Sequence, residues 1–308
     1  MKVHLSAVCG TAMASLAGLL RERGHEVSGS DQDVYPPMST QLRELGIDIR
    51  SPYHADNVPP DADVVVIGNA LSRGNPEVEA VLDRKQRMAS MPALLADEFL
   101  RGRTSIVIAG THGKTTTTSL TAFLLDRAGE SPSFLVGGLP VDFGRSYRLG
   151  SGPHFVVEGD EYDCAFFDKR PKFVHYLPDI AVIGNVEYDH ADIYPDLAAV
   201  ELAFRRLLGV LPGRGRLIAG IESPAVARLV SEAPCAVDTF GLAEGALWRA
   251  VNVRTTADGS SFQLLRGGED LGAFVSPLAG EHNVRNALAA IATCAASALR
   301  TLLSLIHI

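Results

Sequence analysis

The sequence predicts an α/β protein built on parallel sheets. Three observations lead there. Short unbroken runs of branched apolar residues, Asp63-Val-Val-Val-Ile67 and Ile106-Val-Ile-Ala109 among them, read as strands buried on both faces. Each is followed by a glycine-containing turn and then by residues with helical spacing of apolar positions. This alternation recurs along the chain, which is the pattern of βαβ units. At 308 residues there is room for two domains of ordinary size.

Val3 to Val8 reads as the first strand, Cys9-Gly10-Thr11-Ala12 as a tight turn, and Met13 to Arg23 as a helix with Leu16, Leu19 and Leu20 on one face. Glu26 to Ser30 is a second strand, with Asp31 directly after it. A βαβ opening with an acid about twenty residues past the turn is the arrangement that reads a ribose or nucleoside in a Rossmann-like domain. Gly10 and Asp31 are the candidates, with helix capping the other use for Asp31. The glycine fingerprint is depleted, because Ala7, Cys9 and Ala12 occupy its other positions. Thr40 to Leu45 is helical. Gly68 to Asn75 follows a strand end, where ligands bind in open α/β sheets, and Pro76 starts a helix expected to reach about Met88. A basic, glycine-containing stretch at Arg101 to Arg103 closes a first domain over 1–102.

The second domain, 103–300, opens on Ile106-Val-Ile-Ala-Gly-Thr-His-Gly-Lys-Thr-Thr-Thr-Thr118. This is strand, small-residue turn and helix. Backbone N–H groups of such a turn converge on one concavity, Lys114 adds a full positive charge for phosphates, and the Thr115 hydroxyl can ligate Mg²⁺. The loop is shorter than the usual P-loop: its first glycine is Gly110, and Ile108 stands where that glycine is expected. The helix should run from Thr115 to Ala128 with Leu120, Phe123, Leu124 and Ala128 buried. Consecutive threonines from Thr115 to Thr118 are poor helix formers and suggest hydroxyls used for phosphate or metal.

His154 to Glu158 is a strand ending in Glu158-Gly-Asp-Glu-Tyr-Asp163. Carboxylates this dense repel unless a cation is present, and an acid at a strand end is what a phosphate-loop enzyme uses for Mg²⁺. Lys169-Arg-Pro-Lys172 adds positive charge. Ile180 to Ile183 is a strand leading to Asn185-Val-Glu-Tyr-Asp-His190, where the histidine beside acids suits a metal or a phosphate. Leu197 to Leu208 is a helix and Gly215 to Ala219 a strand. Trp248 to Leu278 alternates around two turns as a β-meander. Gly280 opens an alanine-rich helix from about Asn283 to Leu299. His282, Asn283 and Asn286 share one turn of it and could read a purine edge, with capping the alternative for Asn283.

Composition narrows the classes. A net charge of -8 argues against nucleic acid or an anionic membrane as partner. No run reaches the length of a membrane span. The cysteines, Cys9, Cys164, Cys235 and Cys294, form no C-x-x-C, which fits a reducing cytoplasm.

The motifs Gly110-Thr-His-Gly-Lys-Thr-Thr116, Glu158 to Asp163, Asn185 to His190 and Gly280-Glu-His-Asn-Val-Arg-Asn-Ala287 together resemble the Mur ligase family, the ATP-dependent amide-bond ligases of peptidoglycan synthesis. The resemblance runs from about Val3 to Ala292. It implies ATP and Mg²⁺ as cofactors, with Gly110, Thr111, His112, Gly113, Lys114, Thr115 and Thr116 on the phosphates. His282, Asn283 and Asn286 would surround adenine. It further implies Lys114, Glu158, Asn185 and His190 as catalytic residues, and Thr115, Glu158 and His190 as metal ligands. Gly10, Ser30, Asp31 and Ser72 would hold a UDP-linked substrate. Tyr35 to Leu42, Ser72 to Pro76 and Glu161 to Tyr176 resemble the branch that joins UDP-N-acetylmuramate to a murein tripeptide in peptidoglycan recycling. Ligation of L-alanine, or nucleotide binding without turnover, are the alternatives. No protein partner is implied.

Three departures accompany the resemblance. Arg205 stands where some relatives carbamylate a lysine. The first glycine turn is depleted. A third, Rossmann-like domain expected of the family is absent from the 308 residues, and the apolar tail 301–308 reads as a truncation that would leave the chain inactive by itself.

Overall fold

The computed structural model describes residues 1–189 and 193–297, so the expected tail at 301–308 lies outside the described residues. The chain divides into two compact units. The first comprises Met1–Gly102, Phe134–Gly150 and Tyr162–Tyr176; the second comprises Arg103–Ser133, Ser151–Glu161 and the residues from Leu177 onward. The segments 134–150 and 162–176 thus pack with the first unit, although the sequence-based division leaves them in the second.

The first unit is a five-stranded parallel sheet. In chain order its elements are β1 (Lys2–Ser6), α1 (Thr11–Glu22), β2 (Glu26–Ser30), α2 (Met38–Glu44), β3 (Ile49–Arg50), β4 (Val64–Ile67), α3 (Pro76–Asp83), β5 (Met88–Ser90) and α4 (Met91–Leu95). The strand order β3-β2-β1-β4-β5 puts the reversal of winding between β1 and β4, where a crevice opens at the strand ends. Val64 to Ile67 are fully buried, as their unbroken apolar run requires.

α3 is shorter than expected. Its C-cap is Arg84, Lys85 turns the chain with φ +50°, and Met88–Ser90 leaves the helix to pair with β4. The segment 134–150 is held by α1. Tyr147 lies where a side chain on Gly18 would be, since a Cβ there would sit 2.1 Å from the ring, and Ser15 Oγ meets Ser146 Oγ at 2.7 Å.

The second unit is built from β6 (Thr104–Ala109), α5 (Lys114–Arg127), β7 (His154–Gly159), β8 (Ile180–Ile183), α6 (Leu197–Leu208), β9 (Arg216–Gly220), α7 (Pro224–Val230), β10 (Ala236–Gly241), β11 (Trp248–Thr256), β12 (Gly259–Arg266), β13 (Glu269–Ser276) and α8 (Glu281–Ala296). Its sheet runs β7-β6-β8-β9-β10-β11-β12-β13. The strands are parallel from β7 to β11 and antiparallel beyond, so the expected meander continues the same sheet. α8 begins at Glu281, earlier than expected, and Leu299 lies outside the described residues.

The buried face of α5 corrects the expected stripe. Thr117, Thr118, Thr121, Ala122 and Leu125 are buried, while Leu120, Phe123, Leu124 and Ala128 are only partly so. Burial of a hydroxyl is tolerable when it has a partner. Thr118 Oγ1 donates to Lys114 O at 2.8 Å and Thr121 Oγ1 to Thr117 O at 2.8 Å, which frees this face to pack against α8.

Candidate active site

The loop between β6 and α5 is shaped by two glycines. Gly110 has φ +139°, and a Cβ on it would lie 3.1 Å from the Asn185 carbonyl oxygen. Gly113 has φ +81° as the N-cap of α5, with Asn286 Oδ1 2.4 Å from its ideal Cβ position. Both backbones pass where a side chain does not fit. The first N–H groups of α5 have no intrahelical acceptor and carry the positive end of the helix dipole into a cavity of about 500 Å³.

Lys114 folds back over this loop. Its Nζ donates to Gly110 O at 2.7 Å and to Glu161 Oε2 at 3.1 Å. Glu161 is 1% exposed. Its carboxylate is the internal counter-charge that Lys114 would exchange for an incoming anion. Sequence reasoning quoted Glu161 in its acidic motif but gave it no role. The expected carboxylate repulsion is met here by an internal cation, and Glu158 takes a different partner. Glu158, next to last in β7, is paired with Ile108 of β6, and Thr115 Oγ1 donates to its Oε2 at 3.1 Å.

Asn185 ties the loop to the end of β8. Its backbone oxygen accepts from Thr111 N at 3.0 Å and its Oδ1 from His112 N at 2.8 Å. Thr111 Oγ1 accepts from Glu187 N at 2.9 Å. Thr116 is on the first turn of α5 and does not line the cavity. His190 lies outside the described residues.

The cavity is also lined by His282, Arg285 and Asn286 from α8 and by Phe240 and Pro224. Asn283 is not on this wall. Its amide donates to Ala279 O at 2.8 Å and its Oδ1 accepts from Asn286 Nδ2 at 3.2 Å, so it holds Asn286 in place. Glu222 was not foreseen. It accepts from Arg285 Nε at 2.5 Å and from the amides of Leu242 and Ala243, clasping α8 to the end of β10. No local sequence signal marks it, because its partners are distant in the chain. Arg205 pairs with Glu232 at 3.0 Å and does not line the cavity.

The first unit has its own cavity of about 500 Å³ beside the β1–α1 turn. Gly10, Asp31, Tyr53, Asn69 and Lys172 are on its wall. Asp31 Oδ2 accepts from Cys9 N at 2.8 Å and its Oδ1 from Tyr53 OH at 3.1 Å. Burial and the nearby Asp31 charge push the Cys9 thiol up to about 11.

Two expected contacts are not on this wall. Ser30 is fully buried on the opposite course, where its Oγ donates to Glu77 Oε2 at 2.5 Å. Ser72 is exposed and its carbonyl accepts from Asn75 N in a turn. The period-2 alternation of β2 decides the first case: Ser28 and Ser30 both face His4. Burial alone would raise the Glu77 pKa. Hydrogen bonds from His4, Ser30, Ser6 and Asn57 outweigh it and hold the carboxyl at about 2. Two cations of the expected basic cluster are paired within the first unit, Lys169 with Asp163 and Arg170 with Asp168, while Lys172 lies over the Tyr162 ring at 4.2 Å on the cavity wall.

The "Mur ligase middle domain" family model matches residues 108–294, and "Mur ligase family, catalytic domain" matches residues 2–102. The chain belongs to the Mur ligase family. Among curated relatives, this Mur ligase chain is 45% identical over 292 residues to the UDP-N-acetylmuramate--L-alanyl-gamma-D-glutamyl-meso-2,6-diaminoheptandioate ligase of Escherichia coli K12, covering 95% of the chain and 63% of the relative. It is 39% identical to the UDP-N-acetylmuramate--L-alanine ligase of Oleidesulfovibrio alaskensis, of which it covers 62%. The chain therefore spans less than two thirds of the length of these relatives. A crystal structure of the first type of ligase, from Neisseria meningitides, superposes with a TM-score of 0.92 at 40% identity, covering 99% of this chain and 97% of that one. A murein peptide ligase from Psychrobacter arcticus gives 0.87 at 36% identity, with 99% of this chain and 68% of that one covered. The α/β fold of both units is that of the Mur ligases.

Proposed function

We propose that this chain carries the nucleotide and acceptor sites of an ATP-dependent ligase. That ligase joins UDP-N-acetylmuramate to the tripeptide L-Ala-γ-D-Glu-meso-diaminopimelate through an acyl phosphate, in cytoplasmic peptidoglycan recycling. The supporting observation is the start of α5, where Lys114 lines the cavity and pairs with Glu161 and where Thr115 donates to Glu158. The hydroxyl and carboxylate oxygens at 3.1 Å are a donor pair suited to a hard divalent cation such as Mg²⁺. When bound there, the cation supplies charge neutralisation for the phosphate oxygens.

The chain's own residues supply position and electrostatics. Lys114 leaves Glu161 and Gly110 O to hold the phosphate charge. Asn185 and Thr111 fix the loop so that its amides converge, and His112 flanks it. His282, Arg285, Asn286 and Phe240 enclose the base, with Asn283 acting through Asn286. In the first unit, Asp31 and Tyr53 recognise the nucleoside, Gly10 allows close approach, and Lys172 offsets the diphosphate charge. Ser30 and Ser72 have no part in this reading.

Binding tests separate the two sites. The 308-residue chain should bind ATP in a Mg²⁺-dependent manner and should bind UDP-N-acetylmuramate independently of Lys114. In a protein containing this chain, the tripeptide, ATP and Mg²⁺ should yield UDP-muramyl-tripeptide by mass spectrometry. Product with free L-alanine alone would overturn the tripeptide assignment in favour of the alanine-adding activity. Nucleotide binding with no product from either amine would leave a binding module without ligase turnover.

A further inference from the structure

The hairpin formed by Asp163–Ala165 and Asp168–Pro171, with the turn Lys172–His175 that follows it, gathers three side chains that the nucleotide chemistry does not use. One ligand atom each from Cys164, Asp168 and His175 lies within 4.8 Å of the other two. We propose that these residues form a binding site for a zinc-class divalent cation. A thiol, an imidazole and a carboxylate are the donor set that such a metal takes in preference to Mg²⁺ or Ca²⁺. Small side-chain shifts would bring the three atoms to coordinating distance, with solvent in the fourth position.

Two of the three ligand groups are already in contact. His175 Nε2 and Asp168 Oδ2 are 2.9 Å apart, and both side chains are about nine-tenths buried. Arg170 grips the carboxylate with Nε on Oδ1 at 2.9 Å and Nη2 on Oδ2 at 2.7 Å. A carboxylate has about four lone-pair positions, so this grip leaves Oδ2 able to accept a further partner on the His175 side. Outer partners of this kind commonly orient a ligating carboxylate. Asp168 and His175 also border a cavity of about 440 Å³ shared with Asp97 and Arg87, which gives an entry path.

Cys164 is 2% exposed, and its Sγ donates to Arg170 O at 3.1 Å. Binding breaks this S–H bond, forms an S–metal bond and releases the proton to solvent. Proton release is therefore part of the signature. Arg170 orients the Asp168 carboxylate, so Arg170→Ala should weaken binding about tenfold or more.

The test is a titration of the whole chain with Co²⁺, followed by displacement with Zn²⁺. The expected result is a near-ultraviolet thiolate–cobalt band that saturates at about one equivalent with about one proton released. Cys164→Ser should abolish the band, and His175→Gln should weaken affinity more than about tenfold. No thiolate band in the unmodified chain at millimolar Co²⁺ overturns the proposal, whether or not the serine variant folds. So does a band that survives Cys164→Ser, which would place the metal on another cysteine.

Discussion

The two units each present a cavity at a strand–turn–helix junction, yet the turns are chemically unlike. The β6–α5 turn places two positive-φ glycines, a lysine and a threonine–carboxylate pair at one mouth. The β1–α1 turn has Gly10 at an ordinary φ of −64°, and its Cys9 amide is already taken by Asp31. The positive-φ residue there is Ala7, at +70°. One parallel-sheet topology thus carries two kinds of turn: a lysine held by a buried carboxylate in the second unit, and a fixed acid with a tyrosine in the first. Protein groups take amides in both turns, Asn185 those of Thr111 and His112 and Asp31 that of Cys9, so the difference lies in the side chains: a lysine and a hydroxyl–carboxylate pair at the one, an acid and a tyrosine at the other.

The largest test of this contrast is Lys114→Ala. It should reduce ATP-dependent turnover about 10²- to 10³-fold in a protein that contains this chain, with UDP-N-acetylmuramate affinity unchanged in calorimetry. Comparable losses of both ligands would mean that the two turns do not act separately.

The next effect belongs to the first unit. Glu77 has a folded-state pKa of about 2 against an ordinary 4.5. A depressed carboxyl contributes stability that is present above the ordinary value and lost as pH falls through the folded one. The first unit should therefore lose up to roughly 3 kcal/mol between pH 4.5 and 2. Denaturant unfolding across that range reads the slope, and Glu77→Gln should flatten it.

Smaller, and a direct comparison of the turns, is a pair of alanine substitutions. Gly113→Ala forces a side chain into φ +81° against Asn286 and should cost about 1–3 kcal/mol, together with ATP binding. Gly10→Ala meets nothing closer than 3.8 Å and should stay within about 0.5 kcal/mol in thermal unfolding. Equal costs would contradict the distinction drawn between the loops. The smallest effect is expected for Ser72→Ala, which should leave UDP-N-acetylmuramate affinity within about 0.5 kcal/mol.

Much of the fold was legible because fully buried parallel strands advertise themselves as unbroken apolar runs, as Val64 to Ile67 and Ile106 to Ala109 do. The β6–α5 loop was legible because its residues are contiguous in sequence. The rest depended on contacts between distant parts of the chain. Nothing near Gly18 announces that Tyr147 will occupy its empty side-chain space, so the attachment of 134–150 to the first unit was hidden. Thr118 was read with its neighbours as a ligand hydroxyl because back-bonding to the preceding turn, which lets it be buried, has no sequence signature. Ser30 was misread for a matter of facing: adjacent residues of a strand point opposite ways, and Glu77, its partner, is far along the chain.

At the β6–α5 turn, Lys114 stands beside an oxygen pair, Thr115 and Glu158, proposed here to hold a divalent cation. Calorimetry of ATP binding with and without Mg²⁺, in the unmodified chain and in Glu158→Gln, tests it most directly. Mg²⁺ should tighten ATP binding in the unmodified chain and that gain should vanish in the variant, while Mg²⁺-free binding is retained. A Mg²⁺ dependence that is the same in both proteins would contradict it.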